Sequence, residues 1–533
     1  MATVEPRPRP EGAGDDPGSP ALVVHDPRTG AEIGRVPDQG ADAVAAAVAA
    51  ARVAFGPWGS LPFAARAERL LVVRDRMLDR IDEMTATIVA ETGKVAEEAL
   101  VHEIAIVADT IGYYARHGEK ALRPQRARTG MLVHKQGMRL HQPRGVIGVI
   151  SPWNYPFMLA MSPVVTALAA GSTVVLKPSE VTPLTGLLLG ELFRSDVAGE
   201  AGGPGDPMAG AVQVVTGAGP TGEALVRSGV DLVCFTGSTA TGRRVMAAAA
   251  DSLTPVLLEL GGKDPMIVCA DADIHRAAAG AVWGAFQNAG QACVSVERVY
   301  VEQAAYDDFV DHVVEETRAL RQGGSPGADV GAITFPPQLE VVERHLVDAQ
   351  AKGARVLTGG RRVPGRAGQW FEPTVLVDVD HDMVVMRDET FGPVLPIMAV
   401  RDVEEAVALA NDSEYGLAAS VWTADGAKAA ELARRVQAGQ VCVNDVATAF
   451  GVADLPLGGV KRSGIGRLHG LQALRDLSAE KSVLVDRLGL ARELWWYPLP
   501  TLLAPLTRAG LVLRYRRGLV AKLAGLRRRS RPL

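Results

Sequence analysis

A chain of 533 residues with 47% apolar side chains has material for two or three cores and is too long for one. Its net charge of −5 argues against nucleic acid as a partner, because a binding face of that kind needs a basic excess. Four cysteines, Cys234, Cys269, Cys293 and Cys442, with no C-x-x-C pair and no closely spaced histidines, argue against a structural metal and fit a reducing, intracellular compartment.

Residues 1–20 combine Pro, Gly and both charge signs without the apolar segment of a secretion signal, and read as the disordered leader of a cytoplasmic protein. No uninterrupted run of about 18 apolar residues occurs, which removes a conventional membrane span. From Ala41 to about Arg126 apolar residues return every three or four positions through DAVAAAVAAARVAF and ERLLVVRDRMLDRIDEM, the helix period. LVHKQGMRLHQPRG, from Leu132 to Gly145, alternates apolar and polar side chains around Gln136-Gly137 and predicts a two-stranded hairpin turning there. Beyond it, VIGVIS, STVVLK, VQVVTG and DLVCFTGS alternate with helical stretches. PMIVCA, RVYVE, RVLTGG, PTVLVDV, PIMAV and QVCVND make a second series. Strands separated by helices predict parallel, doubly wound α/β sheets, here in two domains.

Four segments in these series carry chemistry. In DLVCFTGSTATGRRVMAAAA a strand runs through Thr236-Gly237-Ser238-Thr239 into a helix, so Gly237 and Gly242 would bracket a phosphate at the helix's positive end; a plain structural turn has the same spacing. STVVLKPSEVTP ends a strand on Lys177 with Glu180 three residues on, either ligand groups in a crevice or a surface ion pair. VLLELGGKDP sets Glu259 in an apolar run, where a carboxylate is either paired, with Lys263 at hand, or raised in pKa and suited to general-base work. AFQNAGQACVSVERVYV places Cys293 on a Gly-containing turn, where backbone N–H groups favour a thiolate; burial alone is the other fate of a free thiol and the one expected for Cys234, Cys269 and Cys442.

With SPWNYPF before them and DETFGPVLP after them, these segments resemble the aldehyde dehydrogenase superfamily in order and spacing, from about Val24 to Val485. The resemblance implies a dinucleotide-binding domain over residues 21–131 and 146–258 and a catalytic domain over 259–445. It also implies an oligomerisation arm and closing segment over 132–145 and 446–486, in a homodimer or homotetramer. It makes Cys293 the nucleophile, Glu259 the general base and Asn154 an oxyanion donor beside the Cys293 N–H. Gly237, Ser238, Thr239 and Gly242 fall near a pyrophosphate, Lys177 and Glu180 at the adenosine ribose, and Glu389 and Phe391 at the nicotinamide ribose, with Ile150 and Trp153 along the same cleft.

The implied reaction is oxidation of an aldehyde to an acid through a thiohemiacetal and a thioester. Glu259 favours hydrolysis over transfer to coenzyme A. Glu180 favours NAD, since a carboxylate accepts hydrogen bonds from ribose hydroxyls and repels a 2′-phosphate. Substrate choice would rest on Phe157, Met158, Met161, Ser162 and the loop carrying Leu457. ISPWNYP, FTGSTATG and GRLHG resemble the succinate-semialdehyde dehydrogenase branch, but Ser162 stands where those enzymes place an arginine. The expected substrate is therefore an uncharged aliphatic or aromatic aldehyde or a semialdehyde. A catalytically silent binding or scaffold protein is the alternative. LPLGG departs from the family, with Leu457 in place of an aromatic. Residues 487–533 form a tail of ten Arg, one Lys and one acid, Glu493, a net charge of +10. Its Trp, Pro and Leu residues fit either a membrane surface or a protein contact.

Overall fold

The computed structural model describes residues 21–324, 326–515 and 518. The leader expected over residues 1–20 lies outside the described residues, as does nearly all of the tail beyond Tyr515. The chain divides into two units, Met1–Arg123 with His141–Lys481, and Pro124–Leu140 with Ser482–Leu533.

The larger unit is built on two sheets. The first has six strands in the order Gly464–Ile465, Val256–Glu259, Leu232–Thr236, Val146–Ile150, Thr173–Lys177, Val212–Val214. All neighbours run parallel except Gly464–Ile465, which pairs antiparallel with Val256–Glu259. The three strands Val146–Ile150, Thr173–Lys177 and Leu232–Thr236 are buried at every position, which is why they read as continuous apolar runs: helices cover both faces of a parallel sheet. The chain leaves Val146–Ile150 for Thr173–Lys177 on one side and returns to Leu232–Thr236 on the other. Crossovers that depart in opposite directions open a crevice at the carboxyl ends of those strands.

The second sheet has seven strands in the order Arg355–Thr358, Thr374–Val377, Val394–Val400, Val296–Glu302, Asp264–Val268, Ala418–Trp422, Gln440–Val443. Only Arg355–Thr358 is antiparallel to its neighbour. The two α/β series expected from the sequence are thus present. Val256–Glu259 and Ala418–Trp422 are strands that the reading of the sequence passed over. The second begins with two alanines, a residue depleted in strands, and is held by burial on all five positions.

The hairpin expected to turn at Gln136-Gly137 is corrected. Lys135–Pro143 is one continuous strand, with Gly137 opposite Ala127, and the turn back to Gln125–Ala127 falls in residues 128–134. Alternation across Gln-Gly matched a hairpin because a strand interior has the same period of two. A Cβ on Gly137 would meet the Ala127 carbonyl at 3.2 Å, so the glycine serves close approach of the strands rather than a turn. The stretch 446–486 is divided: Gly464–Ile465 and the helix Gly470–Asp476 belong with the larger unit, and the smaller unit resumes at Ser482. Ser478–Asp486 is an edge of a three-stranded sheet with Lys135–Pro143 in its centre.

Candidate active site

A cleft of about 850 Å³ opens at the crevice the strand order creates. Its wall carries Ile150, Trp153 and Asn154 from the end of the first strand, Lys177 and Glu180 from the second, and Gly237 and Ser238 from the third. Glu259, Cys293, Glu389 and Phe391 come from the segments that join and follow the two sheets. Thr239 and Gly242 are not on the wall. Thr239 opens the helix Thr239–Ala250, and its hydroxyl donates to the Arg462 carbonyl at 3.3 Å. A Cβ on Gly242 would lie 2.5 Å from Leu260 Cδ2, so this glycine lets the helix close on the segment after Glu259.

The helix junction is capped by its own side chains. Ser238 Oγ accepts from the Thr241 N–H at 3.2 Å, and the Gly237 N–H donates to the Glu259 carbonyl at 3.0 Å. The helix's positive end therefore faces the cleft, and the Gly237 donor does not. Lys177, nearly buried, holds Glu180 at 3.0 Å, while Glu180 itself is about half exposed. Arg227 and Arg244, not singled out in the sequence, also line the cleft.

Glu259 is buried at the end of Val256–Glu259, and among the described residues no nitrogen or oxygen donor reaches either carboxylate oxygen. Lys263, the partner considered for it, turns instead to Glu297 at 2.5 Å and Thr390 Oγ1 at 3.1 Å. Burial pushes the Glu259 carboxyl up to about 8, and the nearby Cys293 thiol offsets this only in part. That thiol, half-buried, is raised above its ordinary value by burial and then by the negative charges of Glu259, Asp264 and Glu389. Cys234, Cys269 and Cys442 are buried, and burial raises their thiols too. Cys293 alone of the four lies on the cleft wall, with a carboxyl as its neighbour.

The loop that presents Cys293 is forced into shape. Asn288 (φ +49°), Ala289 (φ +54°) and Gly290 (φ +75°) are all left-handed, a conformation that costs each of the two non-glycine residues about 1–3 kcal/mol unless the surroundings dictate it. They do. Glu98 accepts the Asn288 N–H at 2.6 Å, and the Asn288 amide nitrogen reaches the Asn154 carbonyl at 2.9 Å. Asn154 Nδ2 in turn donates to the Gln291 carbonyl at 2.9 Å, leaving its second N–H for the cleft. A Cβ on Gly262 would lie 2.4 Å from the Cys293 carbonyl, so the Gly261-Gly262 pair is the space into which this loop fits.

Beneath it lies a buried ion pair that the sequence reading missed. Lys94 Nζ meets Glu103 at 2.5 Å, the Asn154 carbonyl at 2.8 Å and the face of the Tyr155 ring at 4.1 Å. Glu103's other oxygen accepts from the N–H groups of Phe157 at 2.8 Å and Met158 at 3.3 Å. On the opposite side Glu297 accepts the N–H groups of Thr390 and Phe391, each at 2.8 Å, and so holds Phe391 at φ +49° with its ring 5.4 Å from that of Trp153. Charged residues spaced along amphipathic helices look solvent-facing in a sequence, and Glu103 carried no other mark.

The expected substrate residues are placed differently. Phe157, Met158, Met161, Ser162 and Leu457 are at most 2% exposed, and none is on the cleft wall, where their helix contributes only Leu159. Ser162 Oγ is bonded to buried His469 Nε2 at 3.0 Å. Met158–Ala169 is buried on every side, and Phe157, Met158, Met161 and Leu457 belong to one hydrophobic core.

A doubly wound sheet whose crevice leads to a thiol beside a carboxyl is the layout of a cofactor-dependent enzyme. Residues 15–483 match the aldehyde dehydrogenase family. Over 443 residues the chain is 44% identical to a 4,4'-diapolycopene aldehyde oxidase of a Methylomonas species, covering 83% of this chain and 81% of that one. A Mycolicibacterium smegmatis protein, whose name assigns it to NADP(+) succinate-semialdehyde dehydrogenases, is 40% identical over 88% of this chain and 90% of its own. Among solved structures, Mycobacterium tuberculosis aldehyde dehydrogenase complexed with NAD+ aligns with a TM-score of 0.82 at 36% identity, over 89% of this chain and 96% of that one. The NAD-dependent aldehyde dehydrogenase of Sinorhizobium meliloti aligns with a TM-score of 0.84 at 37% identity, over 91% and 95%. The chain belongs to the aldehyde dehydrogenase family.

Lys94→Met leaves the Glu103 carboxylate buried without its cation and is expected to cost about 3–5 kcal/mol in urea unfolding. It also removes one of the two donors that hold the Asn154 carbonyl, so kcat falls more than KM rises. Wild-type stability in this variant would contradict the clamp.

Proposed function

We propose that the protein oxidises an apolar aldehyde to its carboxylic acid by a cysteine-dependent, hydrolytic route, with NAD as hydride acceptor. The observation that carries this reading is the Glu259 carboxyl, buried, without a cation or a hydrogen-bond donor among the described residues, on the same wall of a nucleotide-type crevice as the Cys293 thiol.

The residues fit such a cofactor: the crevice has a helix N-terminus at Ser238, a buried Lys177, and Glu389 beside a Gly261 whose missing Cβ leaves the carboxylate room. When bound, NAD supplies a hydride acceptor. The ionised Glu259 takes the Cys293 proton, and the thiolate attacks the aldehyde carbon to give a thiohemiacetal oxyanion. The second Asn154 N–H and the Cys293 backbone N–H stabilise that oxygen without offering it a proton. Loss of hydride leaves a thioester. Glu259 gives its first proton up to solvent and then takes one from water, whose oxygen attacks the thioester; collapse releases the acid, and Glu259 returns that proton to the Cys293 thiolate.

One observation supports an apolar substrate: Ser162, where the resemblance would put an arginine for a semialdehyde carboxylate, is a core residue bonded to His469, and its helix offers the cleft wall only Leu159 and no cation. The name of the Methylomonas relative agrees with an aldehyde of this class. For the cofactor, Glu180 supports NAD. Arg227 and Arg244 on the same wall are the features in favour of NADP, as is the name of the M. smegmatis relative. The open edge strand Ser478–Asp486 supports assembly into a homodimer or homotetramer.

Cys293→Ala is expected to abolish aldehyde-dependent NAD reduction across aliphatic, aromatic and semialdehyde substrates. Unchanged turnover in that variant would sink the assignment of the nucleophile, and no turnover of any of these aldehydes by the parent would favour the binding-protein alternative. The rate should rise with pH through about 8, as burial-raised Glu259 loses its proton, and Glu259→Gln should flatten that limb and lower kcat by about 10²-fold or more. An unaltered pH profile in Glu259→Gln refutes its role as base. Steady-state comparison is expected to give a higher kcat/KM with NAD than with NADP, and the reverse order would transfer the preference to the arginines.

A further inference from the structure

Beyond Asp486 the sequence holds ten Arg and one Lys against a single acid, Glu493. That acid is turned inward. Within the smaller unit Lys135 holds one Glu493 oxygen, His134 lies 3.1 Å from the other, and Lys135 also reaches Asp486 at 2.9 Å. Trp495 packs on the same pair, its ring 5.9 Å from the His134 ring and 5.9 Å from Lys135 Nζ. The root of the segment is anchored, and its one negative charge is neutralised there.

Past this root the chain is apolar or basic, and the unit leaves it uncovered. Trp496, Tyr497, Leu499 and Leu502 are exposed. The helix Leu503–Tyr515 has no acidic residue, and its described side chains are exposed except Leu503. Leu506 is 67% and Tyr515 62% accessible, with Arg508 and Arg514 the helix's only charges. Leu499, Leu503, Leu511 and Val512 line a groove of about 590 Å³. A 13-residue helix is marginal in water on its own and gains stability by burying a face, so an uncovered apolar one calls for an occupant.

Charge selects among occupants. A second copy of the same segment would bring like charges together, and a nucleic acid would leave the groove and tryptophans in water. No helix among the described residues is long and apolar enough to cross a membrane. An anionic lipid surface satisfies every feature: Trp and Tyr sit at the headgroup level, leucines enter the acyl boundary, and arginines reach out to phosphates. We infer that the segment after Asp486 seats the protein peripherally on an anionic lipid surface, with Trp496, Tyr497 and the helix Leu503–Tyr515 lying in the interface.

The test is co-sedimentation of the full-length protein with vesicles of phosphatidylcholine plus phosphatidylglycerol, against phosphatidylcholine alone. Binding is expected to be about tenfold stronger to the anionic vesicles and to weaken as salt is raised. The triple variant Trp496→Ser, Tyr497→Ser, Leu506→Ser should lose about tenfold in vesicle affinity, with circular dichroism and thermal unfolding of the larger unit unchanged. Equal amounts left in the supernatant with both vesicle types would overturn the proposal. So would a change in oligomeric mass in the triple variant without any vesicle binding by the parent, since a second copy would then be the occupant. Sedimentation needs no turnover, so a protein that oxidised no aldehyde yet bound the vesicles would sink only the catalytic reading.

Discussion

The ammonium of Lys94 is wholly out of water, and the geometry around Cys293 depends on how that charge is answered. An unpaired buried charge costs several kcal/mol, so Glu103, the Asn154 carbonyl and the Tyr155 ring must all be where they are. Each of the two polar partners has a second commitment. Glu103 takes the N–H groups of Phe157 and Met158, and the Asn154 carbonyl takes the Asn288 amide. Compensating one charge therefore ties together three segments far apart in the chain: the helical layer, the segment carrying Asn154 and the cysteine loop. The left-handed run from Asn288 to Gly290 persists because this network over-determines it.

A contrast between two buried glutamates explains how the same residue type serves opposite ends. Glu297 has Lys263 and two backbone N–H groups and acts as a fixed anchor for Thr390 and Phe391. Glu259 has no hydrogen-bond partner among the described residues, so burial lifts its carboxyl into the range where it exchanges protons near neutral pH. Lys263 lies four residues from Glu259 and yet serves the other acid. Proximity along the chain was no guide here, because Gly261 and Gly262 let the backbone pass so close to Glu389 and Cys293 that the lysine emerges beside the second sheet.

Several features were legible in the sequence because they depend on neighbours in the chain. The apolar runs of the parallel strands, the glycines at the turns and the order of the motifs singled out Asn154, Lys177, Glu180, Glu259, Cys293 and Glu389. The structure puts all six on one wall. The charge of the tail was equally plain. The turn assigned to Gln136-Gly137 was not, since alternation is the same inside a strand as beside a hairpin turn. Ala418–Trp422 hid behind its alanines, and the substrate positions inferred from helical neighbours of Asn154 turned out to pack the core.

The sequence by itself determined the class of fold, the family and the chemical groups available to the site, because strand period, turn glycines and motif order are local properties. Only the tertiary structure decided which groups answer one another. Lys94 with Glu103, Lys263 with Glu297 rather than Glu259, Ser162 with His469 and Glu493 with Lys135 are pairings across long stretches of chain or between competing near neighbours. The physical reason is that a buried charge is settled by whatever partner the packed core brings within about 3 Å, a distance that sequence separation does not encode.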